Sequence, residues 1–184
     1  MKRAPLVITT RDLGRRPGNS RALALEAPAP ADLGTAVIAV PEGSPVTLEL
    51  TFTSVQDGIL VTGTAHVQLA GECVRCLEPL SARQDVELSE LYLYPEAFER
   101  AGDDGDDEGV EMFHTDGELL DLEPMLRDAV VMSLPFQPLC SANCPGLCAT
   151  CGVRLADAGP GHAHESVDPR LRVLDGFFDR EDTP

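Results

Sequence analysis

Six cysteines fall into two groups along the 184 residues, and their spacing limits the fold more than any other feature. Cys73 and Cys76 stand in "GECVRCLEPL"; Cys140, Cys144, Cys148 and Cys151 stand in "LCSANCPGLCATCGVRL". Two residues between cysteines in a tight turn aim both sulfurs at one point, which suits the tetrahedral shell of zinc. Downstream, His162 and His164 form H-x-H. In an extended segment such a pair projects to one side. Together these eight side chains are enough for two four-coordinate sites. The other histidines, His66 and His114, stand alone and read as surface or packing residues.

The ligands can be divided in more than one way. The favoured division joins Cys73 and Cys76 with Cys140 and Cys144, and Cys148 and Cys151 with His162 and His164. Its rival places Cys140, Cys144, Cys148 and Cys151 around one ion and strands Cys73 and Cys76. A single zinc between the two C-x-x-C pairs, or no metal, completes the choices. The expected cofactor is therefore Zn²⁺ in two structural sites, or in one. A full shell leaves no open position of the kind catalytic zinc uses. H-E-x-x-H, G-x-S-x-G and phosphate-cradling glycine loops are missing from the sequence, so no enzyme is expected. Thiol redox chemistry wants C-x-x-C at a helix N-terminus. Here Pro79 and a further strand follow Cys76.

Charge narrows the partners. The net charge is −17, yet residues 1–21 carry Lys2, Arg3, Arg11, Arg15, Arg16 and Arg21 against Asp12, a local excess of +5 that leaves −22 elsewhere. Nucleic-acid binding draws most of its affinity from neutralised phosphates, which an acidic body repels. A basic protein is the more natural partner. Near the cysteines only Arg75 and Arg154 are basic, which argues against the alternative of a zinc-ribbon nucleic-acid-binding regulator. No stretch approaches the roughly 20 apolar residues of a membrane span. The apolar run after "MKRAP" is too short for a signal peptide, and a cytoplasmic location is expected.

The pattern predicts an α+β fold: an antiparallel sheet, one main packed helix and a C-terminal zinc-knuckle region. Residues 1–40 read as a basic arm and lead-in, 41–138 as the sheet and helix core with an acidic loop at 99–117, and 139–184 as a metal-binding tail. Val46, Leu48, Leu50 and Phe52 alternate with Thr47, Glu49, Thr51 and Thr53, the period of a half-buried strand. Asp57-Gly58 then marks a hairpin, and Ile59, Val61, Gly63, Ala65, Val67 and Leu69 line one face of the next strand. "RQDVELSELYLY" supplies a third strand, whose broken period at Ser89–Leu91 predicts a bulge. The first C-x-x-C falls at the tip of the second hairpin. "LDLEPMLRDAVVMSLP" predicts a helix with Asp121 as cap, Pro124 in the first turn and an apolar face of Leu122, Met125, Leu126, Ala129 and Val130. Near the end, Leu171, Leu174 and Phe177 or Phe178 predict a short helix that docks back.

The stretches "DLGRRPG", "AGECVRCLEPL", "DLEPMLRDAVVMSLP" running into "QPLCSANCPGLCATCGVRL", and "DPRL" resemble the YceD family, the large ribosomal RNA subunit accumulation proteins, in an actinobacterial form. Many members of that family carry C-x-C where this chain has His162-Ala-His164, an exchange that keeps a zinc ligand. The resemblance implies a non-enzymatic part in 23S rRNA accumulation and large ribosomal subunit biogenesis. It also implies a partner: a small basic ribosomal protein of the large subunit, whose gene is often found beside the family, or a large-subunit precursor particle. Arg11, Arg15 and Arg16 are the candidates for contact with rRNA.

Overall fold

Alternating apolar and polar side chains become an antiparallel sheet with one buried face. The computed structural model describes residues 4–103, 112–164 and 170. The elements run β1 (Val7–Thr9), β2 (Ser20–Pro28), β3 (Ile38–Ala39), β4 (Pro45–Ser54), β5 (Gly58–Glu72), β6 (Pro79–Leu93), α1 (Pro95–Asp103), β7 (Leu119–Asp121) and α2 (Glu123–Ser133). The fold is α+β. The main sheet runs β2–β4–β5–β6, and β3 pairs the far end of β5. A second, two-stranded sheet joins β1 to β7.

Every inward position of β4 is buried: Val46, Leu48, Leu50, Phe52 and Ser54. From β5 and β6 come Ile59, Val61, Ala65, Val67, Leu69, Val86, Leu88 and Tyr92. Leu122, Met125, Leu126 and Val130 pack α2 onto this face. Burying each such side chain fully stabilises the fold by roughly 1.5–3 kcal/mol. The Asp121 carboxylate accepts the Glu123 N–H at 2.9 Å at the start of α2. Leu134 turns extended ahead of Pro135, as a residue before proline must. At that end Gln84 Nε2 donates to the Ser133 carbonyl at 2.9 Å, tying the helix to β6.

Three sequence expectations need correction. The first forty residues are not only a lead-in: they hold β1 and the main-sheet strand β2, while β3 at Ile38–Ala39 falls on the Val37–Val40 segment that reads as a short strand in the sequence. β2 was hidden because Ala22 and Ala24 occupy its outward positions, so its alternation with Leu23 and Leu25 lacks polar contrast. Residues 95–103, read as the approach to and start of a loop, form α1, where Ala97 is buried and Phe98 stacks on His114 at 4.3 Å. No bulge interrupts β6: the register runs unbroken from Gly58↔Leu93 to Glu72↔Pro79. The period breaks there because β6 is an edge strand. Its inward Glu90 still reaches solvent, and its outward Leu91 is left 41% exposed. The expected acidic "GDDGDDEG" run and terminal helix lie outside the described residues, apart from Gly102, Asp103 and Arg170.

The basic lead-in is tied to the body. Arg11 pairs with Glu118 at 2.9 Å, and Arg15 pairs with Glu96 at 3.0 Å while lying over the Tyr94 ring. Arg21 reaches Asp12 at 3.5 Å. Among the described residues, no helix is long and apolar enough to cross a membrane.

Gly63 of β5 pairs with Leu50 of β4. A Cβ there would lie 2.0 Å from the Glu49 carbonyl oxygen, and its φ of +154° already disfavours a side chain. Gly63→Ala is expected to destabilise the protein by about 1–3 kcal/mol through overpacking. A lowered urea midpoint with an unchanged slope would register this loss.

Candidate metal centres

Two short loops use the same backbone design. In the first, the Cys73 N–H donates to the Glu78 carbonyl at 2.8 Å, and the Leu77 N–H donates back to the Cys73 carbonyl at 2.9 Å. In the second, the Cys148 N–H donates to the Val153 carbonyl at 2.8 Å, and the Gly152 N–H donates to the Cys148 carbonyl at 2.9 Å. The residue after the second cysteine is left-handed in both, with φ +58° at Leu77 and +72° at Gly152. Glycine takes that conformation without steric cost, whereas leucine does not.

The first loop caps the β5–β6 hairpin. Its Val74 N–H donates to the Pro138 carbonyl at 3.0 Å, which draws in the chain that follows α2. Arg75 then fastens both sides of the next turn: its carbonyl accepts the Leu147 N–H, and its guanidinium donates to the Cys144 carbonyl, each at 3.1 Å. Gly146 lies against this carbonyl, where a Cβ would come within 3.1 Å. Arg154 from the second loop ion-pairs with Glu78 of the first and with Asp157 at 3.4 Å.

These contacts bring the thiols of Cys73, Cys76, Cys140 and Cys144 within 4.8 Å of one another. Cys148, Cys151, His162 and His164 form a second group within the same limit. The grouping is that of the favoured division, and Cys73 and Cys76 are not stranded. In the first group Cys73, Cys76 and Cys144 are buried against Leu80, Leu139 and Leu147, while Cys140 is exposed. In the second, Cys148 is half-buried and the other three side chains are exposed. The lone histidines lie elsewhere: His66 meets Asp85 at 2.7 Å on the outer sheet face, and this hydrogen bond raises its pKa. His114 stacks on Phe98.

Both groups have the donors and spacing to hold a metal ion. Zinc bonds of about 2.0–2.3 Å give a tetrahedron with edges of about 3.3–3.8 Å. The Cys73–Cys144 and Cys76–Cys140 sulfurs are 3.8 and 3.5 Å apart. The second group shows 3.2 Å between the His162 and His164 Nε2 atoms, and 3.6 and 3.2 Å from them to the Cys151 sulfur. All six cysteines are free thiols. One thiol in each group ionises readily. Burial opposes the charge at Cys73, but the backbone amides of Cys140, Arg75 and Cys76 overcome it and bring the thiol down to about 6. At Cys148 the His162 imidazole, helped by the Cys151 and Thr150 amides, does the same, to about 6. Burial pushes the Cys144 thiol up. Four such sulfurs can be ionised together only around a cation.

The sequence reading missed what joins the halves, namely the Pro138 carbonyl, the Arg75 bridge and the Arg154–Glu78 pair. The signal for the last is present in the sequence, where Arg154 is one of only two basic residues near the loops. Because the Leu77 side chain is largely exposed, Leu77→Gly is expected to relieve the left-handed backbone strain without losing packing. The strain, about 1–2 kcal/mol, exceeds glycine's entropic cost of about 0.5–1 kcal/mol. A net gain of up to about 1 kcal/mol should raise the denaturation midpoint.

Comparison with known proteins gives this geometry a family. The description "Large ribosomal RNA subunit accumulation protein YceD" matches residues 61–178, from near the start of β5 through both cysteine groups. An uncharacterized protein of Mycobacterium tuberculosis (strain ATCC 25618 / H37Rv) is 43% identical over 171 residues, covering 93% of this chain and 80% of its own length. Another from Mycobacterium leprae (strain TN) is 38% identical over 166 residues, covering 90% of this chain and 74% of its own. No solved structure matches the chain. From the matched residues and these relatives, the chain belongs to the YceD family of large ribosomal RNA subunit accumulation proteins.

Proposed function

We propose that the chain is a zinc-stabilised, non-enzymatic factor that promotes large-subunit rRNA accumulation by holding a basic ribosomal protein, or a precursor particle through its proteins. It does so in the cytoplasm. The observation that carries this reading is how the basic residues are used. Of the three arginines suited to meet phosphate, Arg11 and Arg15 are engaged by Glu118 and Glu96, which leaves Arg16. At the cysteine loops, Arg75 and Arg154 are held by the Cys144 carbonyl and by Glu78. The outer face of the main sheet is acidic on balance, with Glu26, Glu49, Asp85 and Glu87 exposed beside Arg83 and with Asp85 held by His66. Such a surface attracts a basic protein and repels bare RNA.

In this reading zinc is scaffolding. Cys73, Cys76, Cys140 and Cys144 hold one ion, and Cys148, Cys151, His162 and His164 hold the other. Each set fills four positions, so neither leaves a vertex for substrate water. The first ion clamps the hairpin tip to the chain after α2, and the second closes the tail on itself. Binding free energy at such sites adds directly to folding free energy. A nucleic-acid regulator would need free cations beside the loops, and a thiol oxidoreductase would need a helix after the first C-x-x-C. Here β6 follows instead.

Purified protein is expected to carry about two zinc ions, one for each four-ligand shell. Cys144→Ser should lose one ion and lower the melting temperature sharply, because it opens the buried cluster. Cys148→Ser should lose the other with a small change in melting, because its cluster is exposed. Thiolates and neutral imidazoles are the binding forms, so falling pH should release metal, from the exposed histidine-bearing set first. Elemental analysis alongside thermal unfolding measures both effects. Metal-free protein that melts as the wild type would end the scaffolding reading.

Affinity capture from growing cells, with and without ribonuclease, tests the partner. Large-subunit proteins should be recovered in both arms. Recovery that vanishes with ribonuclease would point to RNA as the direct contact, and an absence of ribosomal material would defeat the proposal.

A further inference from the structure

Exposed large apolar side chains are not scattered over this molecule. Among the described residues, all but Leu91 lie on the two cysteine loops, beside β3, or along the chain from the end of α2 toward Cys140. Phe136 is 94% exposed and Met132 is 86% exposed. Val74 and Leu77 project from the first loop, with Val37 beside them through the hydrogen bond from the Glu72 N–H to its carbonyl at 3.0 Å. Phe136 is two residues before Pro138, whose carbonyl accepts the Val74 N–H, so its backbone lies within about 7 Å of that contact. Apolar side chains gathered on a surface mark interaction sites more often than scattered ones do.

The charges around these side chains select the occupant. Glu72 and Asp128 are exposed, and Arg154 is shared between Glu78 and Asp157. Arg75 keeps its charge while donating to the Cys144 carbonyl, so Glu72, Glu78, Asp128 and Asp157 stand against Arg75 and Arg154 and the local excess is negative. Four thiolates around a dication would add a further −2 to the same end. Apolar anchors within a negative field fit a protein that offers apolar side chains flanked by lysine or arginine. They do not fit a phosphate backbone, and they disfavour a second copy of a chain with net charge −17.

We propose that the exposed apolar chain from Met132 to Phe136, which runs from the end of α2 toward the first cysteine cluster, is the docking surface for a basic protein partner. This rests on the function proposed above and moves the main contact from the outer sheet face to the metal end. Aromatic and methionine side chains at such exposure act as anchors once desolvated, while the acidic rim sets orientation and rate.

The test uses the full-length, zinc-loaded protein and the small basic proteins of the large ribosomal subunit, fluorescently labelled one at a time, with anisotropy as the readout. The double variant Met132→Ser/Phe136→Ser is expected to weaken binding at least about tenfold, as loss of anchor residues does. Both side chains are almost fully exposed, so its melting temperature should stay that of the wild type. Glu72→Gln/Asp128→Asn should slow association and flatten its dependence on salt. Leu91→Ser and Glu49→Gln/Glu87→Gln, on the outer sheet face, should change affinity by less than about twofold if the anchors dominate. If the outer-face variants weaken binding and the Met132/Phe136 variant does not, the docking surface is overturned while the proposed function stands. If no basic protein binds the unmodified chain, the docking surface falls, and the proposed function falls with it if capture from cells also recovers no large-subunit material. Two further results would also overturn it: self-association abolished by the double variant, or binding of a naked rRNA fragment that depends on Phe136.

Discussion

The unbroken pairing of β5 with β6, fifteen residues on each strand, is the constraint on which the rest of the structure depends. It is long enough to serve two ends of the molecule. Its inward residues build the core that receives α2. Its closed end, beyond the reach of β4, presents the first cysteine loop in a fixed orientation. From there the Val74–Pro138 hydrogen bond and the Arg75 bridge gather the chain that leaves α2. Helix and hairpin thus set the distance across which the two halves of the first cluster meet. A sheet with a bulge at Ser89–Leu91 would turn that tip away.

The two cysteine loops share one hydrogen-bond design but sit in different surroundings. Burial at Cys73, Cys76 and Cys144 makes the first cluster part of the protein interior. Exposure of Cys151, His162 and His164 makes the second an appendage, joined to the first through Arg154 and Glu78. Replacing thiolates with imidazoles also changes the charge: a four-thiolate site keeps a net −2 around zinc, whereas two thiolates and two neutral imidazoles balance the ion. Exposed apolar side chains lie beside both loops, Val74 and Leu77 at the first and Val153 and Leu155 at the second. Under the proposed docking, the overall acidic field would speed encounter with a basic partner, while affinity would come from desolvated anchors.

Much of this was legible in the residues. Alternation in β4 and through the centre of β5 gave their buried faces, because Thr62, Thr64, His66 and Gln68 leave one reading only. The apolar face of α2 was equally clear. β2 was not, because alanine does not declare which side faces water. α1 was not, because its nine residues are short and overlap the start of an acidic, glycine-containing run that reads as a loop. The break in period at Glu90 was real but came from an edge strand's access to solvent, a property of neighbours that a single segment does not contain.

By itself the sequence determined the ligand types, their pairing by short spacing, and the excess of negative charge, because each of these is a property of residues close together in the chain or of the chain's total. Only the tertiary structure decided which pairs meet, since Cys73 and Cys140 are brought together by a hairpin and a helix whose relative position no local pattern encodes. It also decided that Arg11 and Arg15 are already paired, and that Met132 and Phe136 face solvent while Val130 is buried. Burial depends on what packs against a side chain, and in this protein the packing partners are far away in sequence.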